Sequence, residues 1–193
     1  AARSVGAWLL CDEVYRGLDH EGSYFTASVA DLYEKGISTG SMSKTFSLAG
    51  LRLGWVAGPR ELLDACCRHR DYSTISCGMV DEYLAALALE HKDAILARNR
   101  TIVTGNLALL RQFVDAHPQL SMHTPQAGTT AFVRLKFDMK SADFCRDLLA
   151  KTGVLLVPGS AMDREGYVRV GYANTPAEVR AGLNALDGYL RTL

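Results

Sequence analysis

The sequence predicts an α/β fold in which a mainly parallel sheet is followed by a smaller α+β region. Residues 7–11 form a short, continuous apolar run, and residues 51–57 form a second one. Continuous runs of this kind are typical of strands that are buried on both faces, as in parallel sheets. Apolar residues also recur near a period of 3.6 over residues 80–110, which predicts a long amphipathic helix that covers the sheet and bridges two domains.

Composition limits the classes of protein to consider. The 193 residues are 48% hydrophobic and 22% charged, with no net charge, which suits a globular protein with a sizeable core. Balanced charge argues against nucleic acid or an anionic membrane as the main partner. Five cysteines occur without a CxxC pair, so we expect reduced thiols and a cytoplasmic location. The histidines show no metal-ligand spacing with the cysteines, so we expect no metal site.

The pattern of apolar residues and turn signals differs between the first 105 residues and the rest of the chain. A loop from residue 16 and a helix at 28–34 precede a strand at 37–40, and a further helix is expected at 60–70. From residue 106 onward we expect strands at 130–137, 154–157 and 167–172, and helices at 141–151 and 176–190. Ser141 is the expected N-cap of the first of these helices, and Pro176 suits the first turn of the second. We therefore predict one domain at residues 1–105 and a small α+β domain at residues 106–193.

The residues from 41 to 54 read Ser-Met-Ser-Lys-Thr-Phe-Ser-Leu-Ala-Gly-Leu-Arg-Leu-Gly. Their apolar members predict that the amine of Lys44 lies at the edge of a dry core, where it would be a nucleophile toward a carbonyl. Ser41 and Ser43 offer hydroxyl donors to an anion, and Arg52 adds a planar, permanently charged fork that suits phosphate. An aldehyde-reactive lysine beside a phosphate cradle is what pyridoxal phosphate requires.

Two further candidates follow the first apolar run. Asp12 and Tyr15 lie where that strand ends, and parallel sheets bind ligands beyond the carboxyl ends of their strands. An aspartate there can pair with a protonated pyridine nitrogen, and a tyrosine can hydrogen-bond the phenolic oxygen of the cofactor ring. The alternative for this segment is a strand-end turn with solvated acids, and we expect Glu13 to be structural.

The lysine segment resembles the signature of the class I and II aminotransferases, which are pyridoxal-phosphate enzymes of fold type I. Asp-Glu-Val-Tyr at residues 12–15 resembles a second motif of that family. The resemblance implies that Lys44 holds the cofactor as an internal aldimine and that Asp12 and Tyr15 contact the ring. It also implies Ser41 and Arg52 as ligands of the cofactor phosphate, with Ser43 as a further candidate donor.

Two segments of the second region resemble the substrate side of the same family. Tyr-Val-Arg-Val-Gly at residues 167–171 is similar to its last motif, which implies that Arg169 binds the α-carboxylate of the substrate. The alternative is a buried guanidinium in a structural ion pair. Gln-Ala-Gly at residues 126–128 resembles a substrate-side turn in which Gly128 lets the backbone approach the ligand, although turn geometry explains this glycine equally well.

The implied function is that of an aminotransferase, which moves an amino group between an amino acid and a 2-keto acid. The resemblance corresponds to the C-terminal half of such an enzyme and implies a homodimer. We also expect an N-terminal region to complete the site. Upstream of Asp12 the sequence has no Gly-rich turn and, apart from Trp8, no aromatic residue that could stack on the cofactor.

Two alternatives to transamination stay open. Ser-Cys-Gly-Met-Val-Asp-Glu-Tyr at residues 76–83 is similar to aminotransferase homologues such as capreomycidine synthase, so elimination or cyclisation of an amino acid is possible chemistry for the same site. The other alternative is a non-catalytic, aminotransferase-like ligand-sensing domain, which would require a DNA-binding segment upstream.

Overall fold

A computed structural model of the chain describes residues 1–20, 22 and 26–193. The part of the predicted loop that falls on residues 21 and 23–25 lies outside the described residues. The described chain divides into two compact units, Ala1–Asn99 and Arg100–Leu193. Each unit combines strands with helices, and the α/β fold class predicted from the sequence is confirmed. Within the described ranges, no helix is both long enough and apolar enough to cross a membrane.

The first unit is built on a three-stranded sheet in the order β1-β2-β3. Strands β1 and β2 run parallel, whereas β2 and β3 run antiparallel, so the sheet is mixed. Short 3-10 turns at Arg3–Val5 and Ala49–Leu51 precede the two outer strands. The strands are β1 (Leu9–Asp12), β2 (Gly36–Ser41) and β3 (Gly54–Ala57), and the helices that begin in this unit are α1 (Val29–Leu32), α2 (Arg60–Arg70), α3 (Met79–Glu90) and α4 (Lys92–Asp115).

The prediction that β1 and β3 are buried on both faces is wrong. All four residues of β1 are exposed, with Leu10 at 65%, and Trp55 in β3 is 40% exposed. Both strands are edges of the sheet, whereas the central strand β2 alternates between buried and half-buried residues. β3 is also shorter than predicted, because Leu51 belongs to the 3-10 turn at Ala49–Leu51 and residues 52–53 connect that turn, through the left-handed Arg52, to the strand.

Helix α2 coincides with its predicted range, but the single helix predicted over residues 80–110 is two helices. His91 separates α3 from α4 and has φ −102° and ψ 20°, which lies outside helical geometry. The core of the first unit joins the segment that contains Lys44 to these two helices. Its buried members are Met42, Phe46, Ala85, Ala88 and Leu96.

The second unit contains an antiparallel four-stranded sheet in the order β4-β5-β7-β6. Helices pack against it around a continuous core that includes Leu110, Phe144, Leu148 and Tyr172. A 3-10 turn at Gly159–Met162 links β6 to β7. The strands are β4 (Leu120–Met122), β5 (Thr130–Leu135), β6 (Val157–Pro158) and β7 (Tyr167–Gly171), and the helices are α5 (Ser141–Thr152) and α6 (Pro176–Leu190).

The two predicted helix starts in this unit have different outcomes. Helix α6 begins at Pro176 as predicted, and Thr175 and Glu178 form a reciprocal capping box before it. Ser141 is not an N-cap, because the capping position belongs to Lys140. The backbone N–H of Ser141 instead donates to Glu165 Oε1 at 2.6 Å. Hydrogen bonds from the Ser141 and Gly166 N–H groups hold the pKa of Glu165 below its usual value.

Candidate active site

The parallel pairing of β1 and β2 fixes the position of Asp12. Asp12 is the last residue of β1 and lies opposite Thr39 in the register, so the two side chains share one face of the sheet. The Thr39 hydroxyl donates to Asp12 Oδ1 at 3.2 Å, and the Val14 N–H donates to the same oxygen at 3.3 Å. We call the end of the sheet where β1 finishes at Asp12 and β2 finishes at Ser41 the carboxyl edge.

The lysine loop, residues 42–53, starts at the carboxyl edge and connects β2 to β3. Backbone hydrogen bonds close it at two levels, from Met42 N to Leu53 O at 3.0 Å and from Leu48 N to Met42 O at 2.9 Å. Ser47 and Arg52 have φ values of 58° and 48°, in the left-handed region that non-glycine residues rarely occupy. The loop therefore has a defined backbone shape that costs conformational strain at two positions.

Thr45 ties the lysine loop to the turn that follows Asp12. Its side chain is buried, and its hydroxyl lies 2.8 Å from Val14 O and 3.1 Å from Arg16 O, as a shared hydrogen bond. The amide of Asn99, which is also buried, donates to Thr45 O at 3.0 Å. The residue next to Lys44 is thereby fixed to both the end of β1 and helix α4.

Sequence reasoning did not identify Thr45 or Asn99. A threonine beside a lysine carries no chemical signal of its own. Asn99 did offer one, because it lies on the same helical stripe as the buried residues Leu96 and Val103. A polar residue on a buried stripe needs a hydrogen-bond partner, and here that partner is the lysine loop.

Lys44 itself is exposed, so the expectation that its amine lies at the edge of a dry core is wrong. The loop turns the neighbouring Met42, Thr45 and Phe46 inward and leaves the lysine side chain pointing outward. Within the described part of the chain, the Lys44 amine has no hydrogen bond or ion pair. It is an unengaged primary amine on a loop that is held in place by its neighbours.

Three further predicted residues lie around the same edge. Ser41, at the end of β2, accepts a hydrogen bond from the Ser43 N–H at 2.9 Å, and both serines are half-buried. Arg52 is exposed, and one of its guanidinium N–H groups donates to Ala49 O at 2.7 Å. Tyr15 is half-buried in the turn that follows β1.

Glu13 has a structural environment, as expected. Its Oε1 accepts hydrogen bonds from the Val29 N–H at 2.9 Å and the Ser28 hydroxyl at 3.0 Å, at the start of α1. Burial alone would raise the pKa of Glu13, but these donors and Ser38 outweigh burial and hold the pKa below its usual value. This carboxylate therefore anchors α1 to β1 instead of facing the carboxyl edge.

The two substrate-side candidates belong to the second unit. Arg169 lies between the buried residues Val168 and Val170 on β7 but is itself exposed, so the alternative of a buried guanidinium is wrong. Alternation along the strand explains the difference, since every second side chain faces away from the core. Among the described carboxylates, none lies within ion-pair distance of Arg169. The alternative role of Arg169 in a structural ion pair therefore has no acidic partner among these residues.

Gly128 has φ 85°, which favours glycine. The hydroxyl of the buried Tyr172 donates to Gly128 O at 3.1 Å and fixes this turn before β5. Turn geometry alone is therefore a sufficient reason for a glycine at this position.

The functional groups at the carboxyl edge form a chemically specific donor set. It combines a carboxylate with one oxygen already hydrogen-bonded, an unengaged amine, two serine residues and a guanidinium. A carboxylate suits a protonated ring nitrogen, an amine suits an aldehyde, and hydroxyl and guanidinium donors suit a phosphate. These residues fit pyridoxal phosphate. Elsewhere in the described residues, His, Cys, Asp and Glu side chains do not gather into a group that could hold a metal ion.

Comparison with known proteins identifies the family of the chain. The sequence profile of the aminotransferase class I and II family matches residues 1–186. The chain belongs to this family. A curated relative is capreomycidine synthase of Streptomyces vinaceus, which is 33% identical over 187 residues that cover 96% of this chain and 48% of that protein.

Two solved structures show the same fold over nearly the whole chain. A PLP-dependent aminotransferase from Streptococcus suis 89-1591 is 43% identical with a TM-score of 0.94, covering 99% of this chain and 50% of that one. The PLP-dependent cyclase OrfR is 30% identical with a TM-score of 0.91, covering 99% of this chain and 52% of that one. The chain thus spans about half the length of these relatives, and the family implies pyridoxal phosphate as the cofactor.

The hydrogen bonds of Thr45 yield a stability prediction. We expect Thr45→Val to lower the free energy of unfolding of the first unit by about 1–3 kcal/mol, because it removes the buried hydroxyl that donates to the Val14 carbonyl. Thr45→Ser keeps the hydroxyl and is the matched control, with a smaller loss. Urea unfolding followed by tryptophan fluorescence measures this directly, since both tryptophans, Trp8 and Trp55, lie in Ala1–Asn99. Equal stability of Thr45→Val and the wild type would contradict it.

Proposed function

We propose that this chain carries the cofactor-binding and catalytic residues of a pyridoxal-phosphate-dependent aminotransferase. One observation supports this above the others. The carboxyl edge combines Asp12, whose Oδ1 is held by Thr39, with the unengaged amine of Lys44 on a loop fixed by Thr45. Family membership over residues 1–186 supports the same conclusion.

In this proposal each residue at the carboxyl edge has a separate task. Lys44 would hold the cofactor covalently through its aldehyde group and would move a proton to and from the substrate α-carbon. Asp12 accepts the hydrogen bond of the ring nitrogen and keeps that nitrogen protonated. Tyr15 donates to the phenolic oxygen of the ring. When bound, the cofactor supplies an electron sink for the carbanion that forms at the α-carbon.

The phosphate group would be held by Ser41, Ser43 and Arg52. The Arg52 guanidinium has five N–H donors and uses one of them on Ala49 O, so further donors remain for phosphate oxygens. The left-handed backbone of Arg52 supports this role, because strained residues of this kind persist where the surrounding structure or a function requires them.

The second unit would supply substrate recognition. Arg169 would bind the α-carboxylate of the amino acid through its bidentate fork, and its lack of an acidic partner among the described residues supports this role. Gly128 would allow close approach of the backbone to the substrate. We propose residues 1–105 as part of the cofactor-binding large domain and residues 106–193 as the small domain, although the compact units divide slightly earlier, after Asn99.

We further propose that the intact protein is a cytoplasmic homodimer that acts on an amino acid and a 2-keto acid. The described cysteines are all free thiols, which supports a reducing compartment. Large apolar side chains are exposed around the start of α3, with Met79 at 83% and Tyr83 at 69%, and a second copy would cover such a surface.

A second candidate function is cyclisation of an amino-acid side chain on the same cofactor. The similarity to capreomycidine synthase and to the cyclase OrfR favours it, at identities of 33% and 30%. Both reactions begin with removal of a proton from the α-carbon, so the same Lys44 and Asp12 would serve either one. They differ in whether the amino nitrogen leaves with the cofactor or stays in the product.

The role of Lys44 predicts the site of covalent labelling. Borohydride reduction of the intact holoprotein, followed by peptide mass mapping, should place the pyridoxyl group on Lys44, since this amine is unengaged at the carboxyl edge. Lys44→Ala should abolish the label, whereas Lys92→Ala, at an exposed lysine that begins α4, should retain it. Label on another lysine in the wild type would overturn the assignment.

The choice between the two reactions predicts a difference in co-substrate. If the protein is an aminotransferase, incubation with the amino donor should release a 2-keto acid and convert the cofactor to its amine form. Addition of a second 2-keto acid should then restore the original absorbance. Mass spectrometry of the products and absorbance of the cofactor measure both steps. A cyclic amino acid that forms without any keto acid would establish cyclisation instead.

The role of Arg169 predicts a selective effect on substrate binding. Arg169→Lys keeps the charge but loses the bidentate fork, so we expect the KM for the amino acid to rise about tenfold or more while the cofactor spectrum is unchanged. Arg134→Lys is the matched control, because Arg134 is exposed on the neighbouring strand β5. Equal KM values for the Arg169→Lys variant and the wild type would exclude carboxylate recognition by Arg169.

A further inference from the structure

The two oxygens of the Asp12 carboxylate have different surroundings. Oδ1 accepts hydrogen bonds from the Thr39 hydroxyl at 3.2 Å and from the Val14 N–H at 3.3 Å. No donor from the described residues reaches Oδ2. The carboxylate is therefore held through one oxygen, and the other oxygen is left to accept a hydrogen bond from a ligand.

Thr39 is well placed to impose this orientation. It lies opposite Asp12 in the parallel register, and its own backbone carbonyl accepts the N–H of Glu13 at 2.8 Å. The Asp12 side chain and the backbone N–H of the next residue are thus both hydrogen-bonded to Thr39. A β-branched side chain on a strand has a restricted χ1 angle, so the Thr39 hydroxyl has little freedom to turn away from Oδ1.

The two donors to Oδ1 come from different segments. The Val14 N–H belongs to the turn immediately after Asp12 and bonds its side chain locally, as in an Asx turn. The carboxylate rotates about its Cβ–Cγ bond, and each donor to Oδ1 opposes that rotation. The Thr39 hydroxyl adds a donor from the neighbouring strand β2, so the orientation of the carboxylate is tied to the sheet as well as to the turn.

We propose that Thr39 is a positioning residue for the reaction, one that orients Asp12 so that Oδ2 faces the ring nitrogen of the cofactor. This inference rests on the proposed function, since it requires Asp12 to accept that hydrogen bond. Thr39 itself does not contact the reacting atoms in this scheme. Its effect passes entirely through the Asp12 carboxylate, so an experiment can separate the role of Thr39 from the proposed function.

The first test uses substitutions of Thr39 in the intact holoprotein. Thr39→Val keeps the branched shape and removes the donor, and we expect kcat to fall about tenfold while the KM for the amino acid changes less than about twofold. Thr39→Ser restores the donor and should recover most of the rate. Thr104→Val removes a hydroxyl that bonds only its own helix at Arg100 O and Thr101 O, and it should behave as the wild type.

A spectroscopic readout separates orientation from general damage. With cofactor labelled with 15N in the ring, the nitrogen signal should lie at the protonated position in the wild type and in Thr39→Ser. It should move toward the unprotonated position in Thr39→Val. Thr39→Ala, which is smaller than the native residue, provides the same readouts if the valine variant does not fold.

A double-mutant cycle with Asp12→Asn completes the test. Because Thr39 acts through the carboxylate, Thr39→Val should cause no further loss of kcat in the Asp12→Asn background. Additive losses, or a hydroxyl-free variant with the wild-type rate and nitrogen signal, would overturn the role of Thr39 while leaving the proposed function intact. A wild-type protein that binds no pyridoxal phosphate would overturn both.

Discussion

Strands β1 and β2 run parallel, and the candidate site depends on that pairing. It brings the ends of two strands to one edge, so that Asp12 lies beside Thr39 and the lysine loop starts next to both. Had β2 paired antiparallel, its last residues would lie at the opposite end of β1, and Lys44 would leave from there. The antiparallel partner β3 then starts at the same edge, with Gly54 opposite Ser41.

Hydrogen bonds from buried side chains hold the lysine loop in place at this edge. The Lys44 amine is exposed, yet Thr45 beside it is among the most buried residues of the unit. Thr45 and Asn99 hold the backbone, and the Lys44 side chain is left unengaged. A catalytic site requires such an arrangement, in which the backbone is held in place and the side-chain groups stay available for a ligand. The groups are then positioned before the ligand binds.

Much of this site could be predicted from residue types and spacing, because those patterns report local chemistry. The lysine segment and the acidic residue at the end of β1 lie at one edge as the parallel-strand argument required, and helices α2 and α6 begin where their patterns indicated. Burial could not be predicted in the same way. The apolar residues of β1 and β3 mark strands correctly, but exposure depends on which elements cover them. The hydrogen bonds of Thr45 and Asn99 join residues that are 29 to 54 positions apart in the sequence, and no local pattern indicates which distant residues will meet.

The closure of the lysine loop has a consequence for how this segment tolerates changes in length. Hydrogen bonds close the loop at Met42 and Leu53, and left-handed residues lie at positions 47 and 52. Insertion or deletion of a single residue would shift the left-handed positions onto other side chains and carry Arg52 away from Ser41. Substitutions on the exposed face of the loop leave this closure intact, whereas a change in the number of residues does not. The interval between Lys44 and Arg52 is thus a property of how the backbone of this loop closes.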